Sequence, residues 1–449
     1  MIDPGRLVKA CMAALLLVSG ALVPVASGRT LISDTEIEAT VADLARPLLE
    51  AAGLDPGAVR ILVIGSDDLN AFVAGGQNLF LFTGLIMRTE TPGQLSGVLA
   101  HEIGHIASGH LARTSVAVED ASVAAILGLV LGTTAAVVSG RADAAAAVLQ
   151  GTSSVLRANL FAYTRTQESA ADQAAVRLLD STGQSSRGYA EFLRILDTEF
   201  SAVAGRPAFA TTHPLTPDRI AFAEQHVASS PHADAPVPAE QVRRHARMVA
   251  KLRGFLLPPE QTHRIYPASD DSVAARYARA IAAFRKSGLA PALALVDSLI
   301  AAYPDDGYFR ELKGQLLFES GRPREAHAAY LDALRLLEGA GPIPATSLEM
   351  ARVELALDTA ETNRSARRRL ERVARHRPES AVAWRQLAIA QGRTGERGLA
   401  ALSLAEEALL GNRRNEAVRF AERAQHALPV GSPGWVRAED ILHAAGRRE

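Results

Sequence analysis

His101-Glu102-Ile103-Gly104-His105 decides how this 449-residue chain is read. On a helix, residues four apart lie one above the other, so His101 and His105 present two imidazoles to one point in space. Glu102 sits beside His101, close enough to touch a water held at that point without being a ligand itself. Neutral imidazole is a standard ligand for Zn2+, and a catalytic zinc takes three protein ligands and keeps a fourth position open. Thr91 to Ala100 reads as the start of the same helix, with Leu95, Val98 and Leu99 in an apolar stripe. Gly104 costs about 1 kcal/mol against Ala inside a helix, which a close backbone neighbour would justify.

The third ligand has to come from elsewhere. A metzincin continuation would need Gly and His where the chain has Ser108 and Leu111. His110 is about half a turn out of phase with His101 and reads as a nearby or surface histidine. Downstream, Glu168 and Asp172 are four apart on a helical stretch that runs on through Val176, Leu178 and Leu179. By themselves they are an ordinary solvated helix face. Beside the two histidines, Glu168 would complete a His2Glu site, and Asp172 would accept a hydrogen bond from the far nitrogen of a ligating ring.

His101-Glu102-x-Gly104-His105, followed by Arg165-x-x-Glu168-x-x-Ala171-Asp172, resembles the Ste24-like family of zinc metallopeptidases. Two further segments carry the same resemblance. One runs from Asn70-Ala71-Phe72 through Gly75-Gly76 to Thr83-Gly84-Leu85; the other is Thr212-His213-Pro214 with Arg219. One departure is that Gly75-Gly76 follows Ala74 without the family's extra residues, so the local loop differs. The resemblance spans residues 34 to 255. It implies one Zn2+ held by His101, His105 and Glu168, with Glu102 as general base in hydrolysis of a peptide bond. It also implies that the His213 loop lies near the zinc and that Arg219 anchors it to a carboxylate. Two roles for His213 stay open: a hydrogen-bond donor to the developing oxyanion, or a fourth zinc ligand that holds the enzyme off. In such proteases the substrate lies extended along a sheet edge, here assigned to Gly76, Asn78 and Phe80. Members with a helical-repeat C-terminus are periplasmic and act in outer-membrane protein assembly and quality control. That implies unfolded or misassembled polypeptides as substrates and outer-membrane assembly machinery as a partner.

Arg6 and Lys9 precede an apolar stretch from Ala10 to Val23, and Val25-Ala26-Ser27-Gly28 offers small residues for cleavage. This is the layout of a secretory signal peptide over residues 1–28, and it predicts export to the periplasm. Cys11, the only cysteine, lies within it, so the exported chain would have neither a disulfide nor a thiol nucleophile. A net charge of −1 gives no electrostatic case for nucleic acid as a partner. Residues 121–140 carry no charge and read as a lid, a buried helix pair or a membrane-contacting segment.

The fold class expected is α+β and mostly helical: a zincin-like metalloprotease domain with a small sheet, then an all-α tetratricopeptide-type solenoid. The protease domain is placed at 29–255, a linker at 256–271 and the repeats at 272–449. Ser33 to Ala52 reads as a helix capped by Ser33 or Asp34, Arg60–Ile64 and Asn78–Phe82 as strands, and residues 226–238 as a loop. In the repeats, Gly288 and Gly321, and Ala292 and Ala326, recur with a period close to ~34; residues 339–375 read as degenerate. Such solenoids present a face for a peptide or partner protein. The competing reading is a chaperone or assembly scaffold with a latent or structural zinc site, which the presence of Glu102 opposes.

Overall fold

The computed structural model describes residues 30–109, 164–202, 212–337, 339 and 341–446. The signal segment, His110 and residues 121–140 lie outside these. No helix among the described residues is long and apolar enough to cross a membrane.

Helix α1 (Thr35–Ala51) starts at Asp34, whose side chain accepts from the amide of Ile37, and it buries Ile37, Val41, Leu44, Leu48 and Leu49. A four-stranded sheet follows: β1 (Thr30–Ile32), β2 (Arg60–Gly65), β3 (Ala71–Ala74) and β4 (Asn78–Phe82), in the order β1-β2-β4-β3. β2 and β4 are parallel, and β3 returns antiparallel to β4 through a turn in which Gly75 and Gly76 take φ of 58° and 82°. The substrate edge expected at Gly76, Asn78 and Phe80 is therefore misplaced. Asn78 and Phe80 belong to β4, which is paired on both sides, and Gly76 lies in the turn. Among the described residues the sheet edges are β1 and β3. β4 is buried along its whole length, as is the edge strand β3.

Helix α2 (Thr83–Arg88) leads into α3 (Pro92–Ala107), capped by Thr91 with Pro92 in its first turn. α3 carries the His-Glu-x-x-His motif and packs against α4 (Arg165–Ser181) and α5 (Arg187–Ala202). α6 (Pro217–Ser229) extends into the stretch read as a loop, because Pro217 opens a helix that outruns the polar composition after it. α7 (Ala239–Leu256) and the short α8 (Pro259–Ile265) follow, so the expected linker contains a helix.

The remaining helices form five antiparallel hairpins among the described residues, each packed on the next. They pair Val273–Ser287 with Leu289–Ala302, Gly307–Glu319 with Pro323–Leu337, Pro344–Leu357 with Ala360–His376, Ala381–Arg393 with Arg397–Leu410, and Arg414–Ala427 with Pro433–Gly446. The third pair covers the stretch that read as degenerate. Its signature residues differ, but Leu348, Ala351, Leu355, Ala366 and Leu370 still supply a hairpin core.

These hairpins are joined to the sheet-bearing part by a buried ionic junction. Lys251 on α7 is 2% exposed; its Nζ lies 2.6 Å from Asp34, 3.4 Å from Glu36 and 3.8 Å from Glu311 of the second hairpin. Tyr277 donates to Glu36 at 3.0 Å, Thr346 donates to Glu311, and the Thr346 amide donates to Thr35 Oγ1 at 3.1 Å. Arg247 bridges Glu36 (2.6 Å) and Asp306, and Arg377 pairs with Glu38. Removing one cation from such a cluster leaves buried carboxylates without compensation, which costs about 3–5 kcal/mol. Lys251→Met should lower stability in urea by that amount, and adding Glu36→Gln should restore part of it; an unchanged midpoint for Lys251→Met would show that the junction carries no load.

His245 on α7 is buried, with Nε2 2.8 Å from Thr89 Oγ1. Burial, reinforced by Arg253, pushes its pKa down to about 4. The unfolded ring takes a proton near pH 6.5 and the folded one only near 4, so stability is full above 6.5 and is lost as pH falls towards 4. Between pH 7 and 4 the parent should lose about 3 kcal/mol more than His245→Gln, read from paired denaturation curves; equal losses would refute the assignment.

Candidate metal centre

The motif helix is seated by two close approaches. A Cβ on Gly104 would come within 3.0 Å of the Ala171 carbonyl of α4, and one on Gly97 within 2.6 Å of the Tyr189 backbone of α5. Both glycines let α3 press against the helices that carry its partners, which explains the helix-weakening residue inside the motif.

Four side chains from three parts of the chain then meet. One potential ligand atom from each of His101, His105, Glu168 and His213 lies within 4.8 Å of all the others, and all four residues are buried. The Nε2 atoms of His101 and His105 are 3.2 Å apart. His105 Nε2 lies 3.3 Å from Glu168 Oε1, and His101 Nε2 lies 3.5 Å from Glu168 Oε2. His213 Nδ1 is 3.0 Å from Glu168 Oε1 and 3.4 Å from His101 Nε2. Nitrogens and carboxylate oxygens crowded about one point, with their lone pairs turned inward, form the donor set a transition-metal ion takes.

Neighbouring groups fix which atoms face inward. His101 Nδ1 is 3.0 Å from Asp172 Oδ1 and 3.1 Å from the Tyr189 hydroxyl, which itself donates to Asp172 at 2.5 Å. With its proton held at Nδ1, His101 turns Nε2 to the centre. His213 Nε2 faces the Ala71 carbonyl of β3 at 3.0 Å, and donating there leaves Nδ1 for the centre. Arg219 donates to both Asp172 oxygens at 2.7 and 2.8 Å, lies 2.6 Å from Glu168 Oε2, and donates to the Pro214 carbonyl at 3.1 Å. It thus ties α6 and the His213 loop to α4. The Thr212 hydroxyl completes the loop's anchorage by donating to Asn70 at 3.1 Å.

Glu102 is fully buried, and neither carboxylate oxygen has a hydrogen-bond partner; His213 Nε2 lies 3.4 Å from one of them. Burial raises its pKa. Burial would also raise Glu168, but His213, His101 and His105 hold it well below the usual carboxylate range. Asp172 is held down against burial by His101 and Arg219. Burial pushes His105 well below its ordinary value, whereas Asp172 and Glu168 outweigh burial at His101 and lift it to about 9. Burial raises the Tyr189 hydroxyl, so it stays a donor. The Glu102 oxygens, buried and without a hydrogen-bond partner, lie beside the four converging donors. The donor set, two or three imidazoles and a carboxylate in burial, fits a divalent cation.

His101, His105, Glu168, Asp172, Arg219 and His213, all named from the sequence, come together here, with Glu102 beside them. Tyr189 and the Ala71 carbonyl were not foreseen: the tyrosine lies in a helix with no motif, and a main-chain oxygen leaves no mark in a sequence. Gly76 is remote from these contacts, and Asn78 turns its amide to the Ala74 carbonyl at 3.2 Å.

Residues 32–227 match the family model of Peptidase family M48. The beta-barrel assembly-enhancing protease of Yersinia pestis is 26% identical over 385 residues, covering 82% of this chain and 75% of that protein. The protein of that name from Escherichia coli (strain K12) is 24% identical over 421 residues, covering 90% and 81%. Among solved structures, yeast Tom70 is 15% identical, covers 66% of this chain and 63% of its own, and superposes at a TM-score of 0.33, a likeness too distant to fix the arrangement of the hairpins. The chain thus carries a metallopeptidase domain of Peptidase family M48 over residues 32–227.

Proposed function

We propose that the chain is an exported zinc endopeptidase that cleaves unfolded or misassembled envelope proteins in the periplasm, with the helical repeats recruiting substrate or assembly partners. The observation that carries this reading is the convergence of His101, His105, Glu168 and His213 beside an unpartnered, buried Glu102. The substrate class rests on the two beta-barrel assembly-enhancing proteases, which align along most of the chain, and the compartment on the signal-peptide layout of residues 1–28.

His101, His105 and Glu168 would hold Zn2+, which when bound would supply Lewis acidity towards a water and the scissile carbonyl. Glu102, its pKa raised by burial, takes the proton of the attacking water and passes it to the departing amine. An extended substrate lies along β3, the sheet edge beside the centre, rather than along β4. Of its two roles, His213 is assigned that of fourth ligand through Nδ1. Its Nε2 at the same time occupies the Ala71 carbonyl, where a substrate amide would bind. One side chain then shuts both the metal position and the edge strand, and substrate or a partner must withdraw the Thr212–Pro214 loop before turnover.

Glu102→Gln should keep one zinc per chain and lose cleavage of a denatured polypeptide by about 10^2–10^4-fold, whereas His105→Ala and Glu168→Ala should lose the metal. His213→Ala should keep the metal and cleave faster than the parent. Parent-level cleavage by Glu102→Gln would remove the general base from the account. Zinc-loaded parent and His213→Ala that both leave every unfolded polypeptide intact would favour the scaffold reading.

Tyr189→Phe and Asp172→Asn remove the groups that orient His101. Chelator competition should show zinc affinity about 10–100-fold weaker in each; parent affinity in both would mean His101 needs no such support.

A further inference from the structure

Arginine is spread unevenly over the chain. Residues 359–395 hold nine arginines against Glu361, Glu371 and Glu379, a net charge of +6 in a chain whose total is −1. Helix Ala360–His376 buries Asn363, Ala366, Leu370, Val373 and Ala374. At 100° per residue, Arg364, Arg368, Arg372 and Arg375 fall on the opposite side within an arc of about 80°, one turn after another, in a row about 16 Å long. All four are exposed.

Elsewhere on the hairpins, several arginines meet a nearby acid: Arg322 with Glu325, Arg335 with Asp332, Arg352 with Glu349, and half-buried Arg413 with Glu416. Arg324, Arg414, Arg419 and Arg423 are exposed without an ion pair among the described residues but do not line up as a row of four. In this helix, Arg369 turns inward to Glu354, and Arg367 takes both Glu371 and Glu396. Among the described residues, none of the four arginines in the row has an ion-pair partner. A row of four like charges repels itself.

We propose that this row is a docking surface for an anionic, phosphate-bearing lipid membrane. The planar guanidinium matches phosphate oxygens in pairs. The row lies on the outward face of a helix, so a flat partner touches all four groups at once. It has no aromatic side chain on which nucleic-acid bases would stack. Attraction of this kind is reversible and fades with salt as the Debye length shortens. Docking through this helix would hold the metal centre near a membrane surface without any spanning segment.

The test is co-sedimentation of the full chain with vesicles of phosphatidylcholine alone or with about a third phosphatidylglycerol. The parent should bind the anionic vesicles in low salt, release in 0.5 M salt and ignore the neutral ones. Changing Arg364, Arg368, Arg372 and Arg375 together to Gln should weaken binding at least ten-fold with no change in thermal midpoint, and changing them to Lys should retain most of it. The same change at the paired Arg322, Arg335, Arg352 and Arg413 should leave binding intact. Equal binding by the Gln variant, equal binding to neutral vesicles, or capture of polyglutamate or DNA but not of vesicles would each overturn the proposal.

Discussion

The active-site end of the molecule hangs on the buried carboxylate of Asp172. It takes two hydrogen bonds from Arg219, one from Tyr189, and lies 3.0 Å from His101 Nδ1. Four elements, α3, α4, α5 and α6, therefore share one acceptor, and each reaches it only when the others are in place. Without Arg219 this charge would be costly so deep in the protein; with it, the same charge orients the His101 ring. Arg219 adds the Pro214 carbonyl, so the loop carrying His213 is tied to the ligand helix by the group that neutralises the centre's carboxylates.

A second buried polar cluster does for the hairpins what Asp172 does for the centre. Lys251, Asp34, Glu36 and Glu311 join the first helix, α7 and the second hairpin away from water. Polar contacts of this kind specify one relative position more sharply than apolar packing does, because any slippage strands a charge. α1 also lies on the core that holds α3 and α5, so one helix packs with the motif helix and meets the hairpins at the ionic cluster.

Much of this was legible beforehand. The spacings His101/His105 and Glu168/Asp172 each fix a helix face, and Thr91 and Asp34 mark helix starts by local chemistry that tertiary packing does not alter. What stayed hidden depends on contacts between distant segments. Strand order is one case: β4 reads as apolar whether it is central or at an edge, so only pairing with β2 on one side and β3 on the other excludes it as a substrate edge. Tyr189 is another, a lone tyrosine whose hydroxyl matters only because Gly97 lets α3 approach it. Nothing in the sequence marks Lys251, whose ionic partners include Glu311 of a hairpin that begins far along the chain.

The central claim is that His101, His105, Glu168 and His213 bind one metal ion together. Zinc-edge X-ray absorption on protein loaded with a single equivalent reads this directly, by comparing the parent with His213→Ala. The account predicts three imidazole nitrogens and one carboxylate oxygen in the parent, with one imidazole exchanged for solvent in the variant. The same coordination shell in both proteins, or a shell with fewer than two imidazoles in the parent, would contradict it.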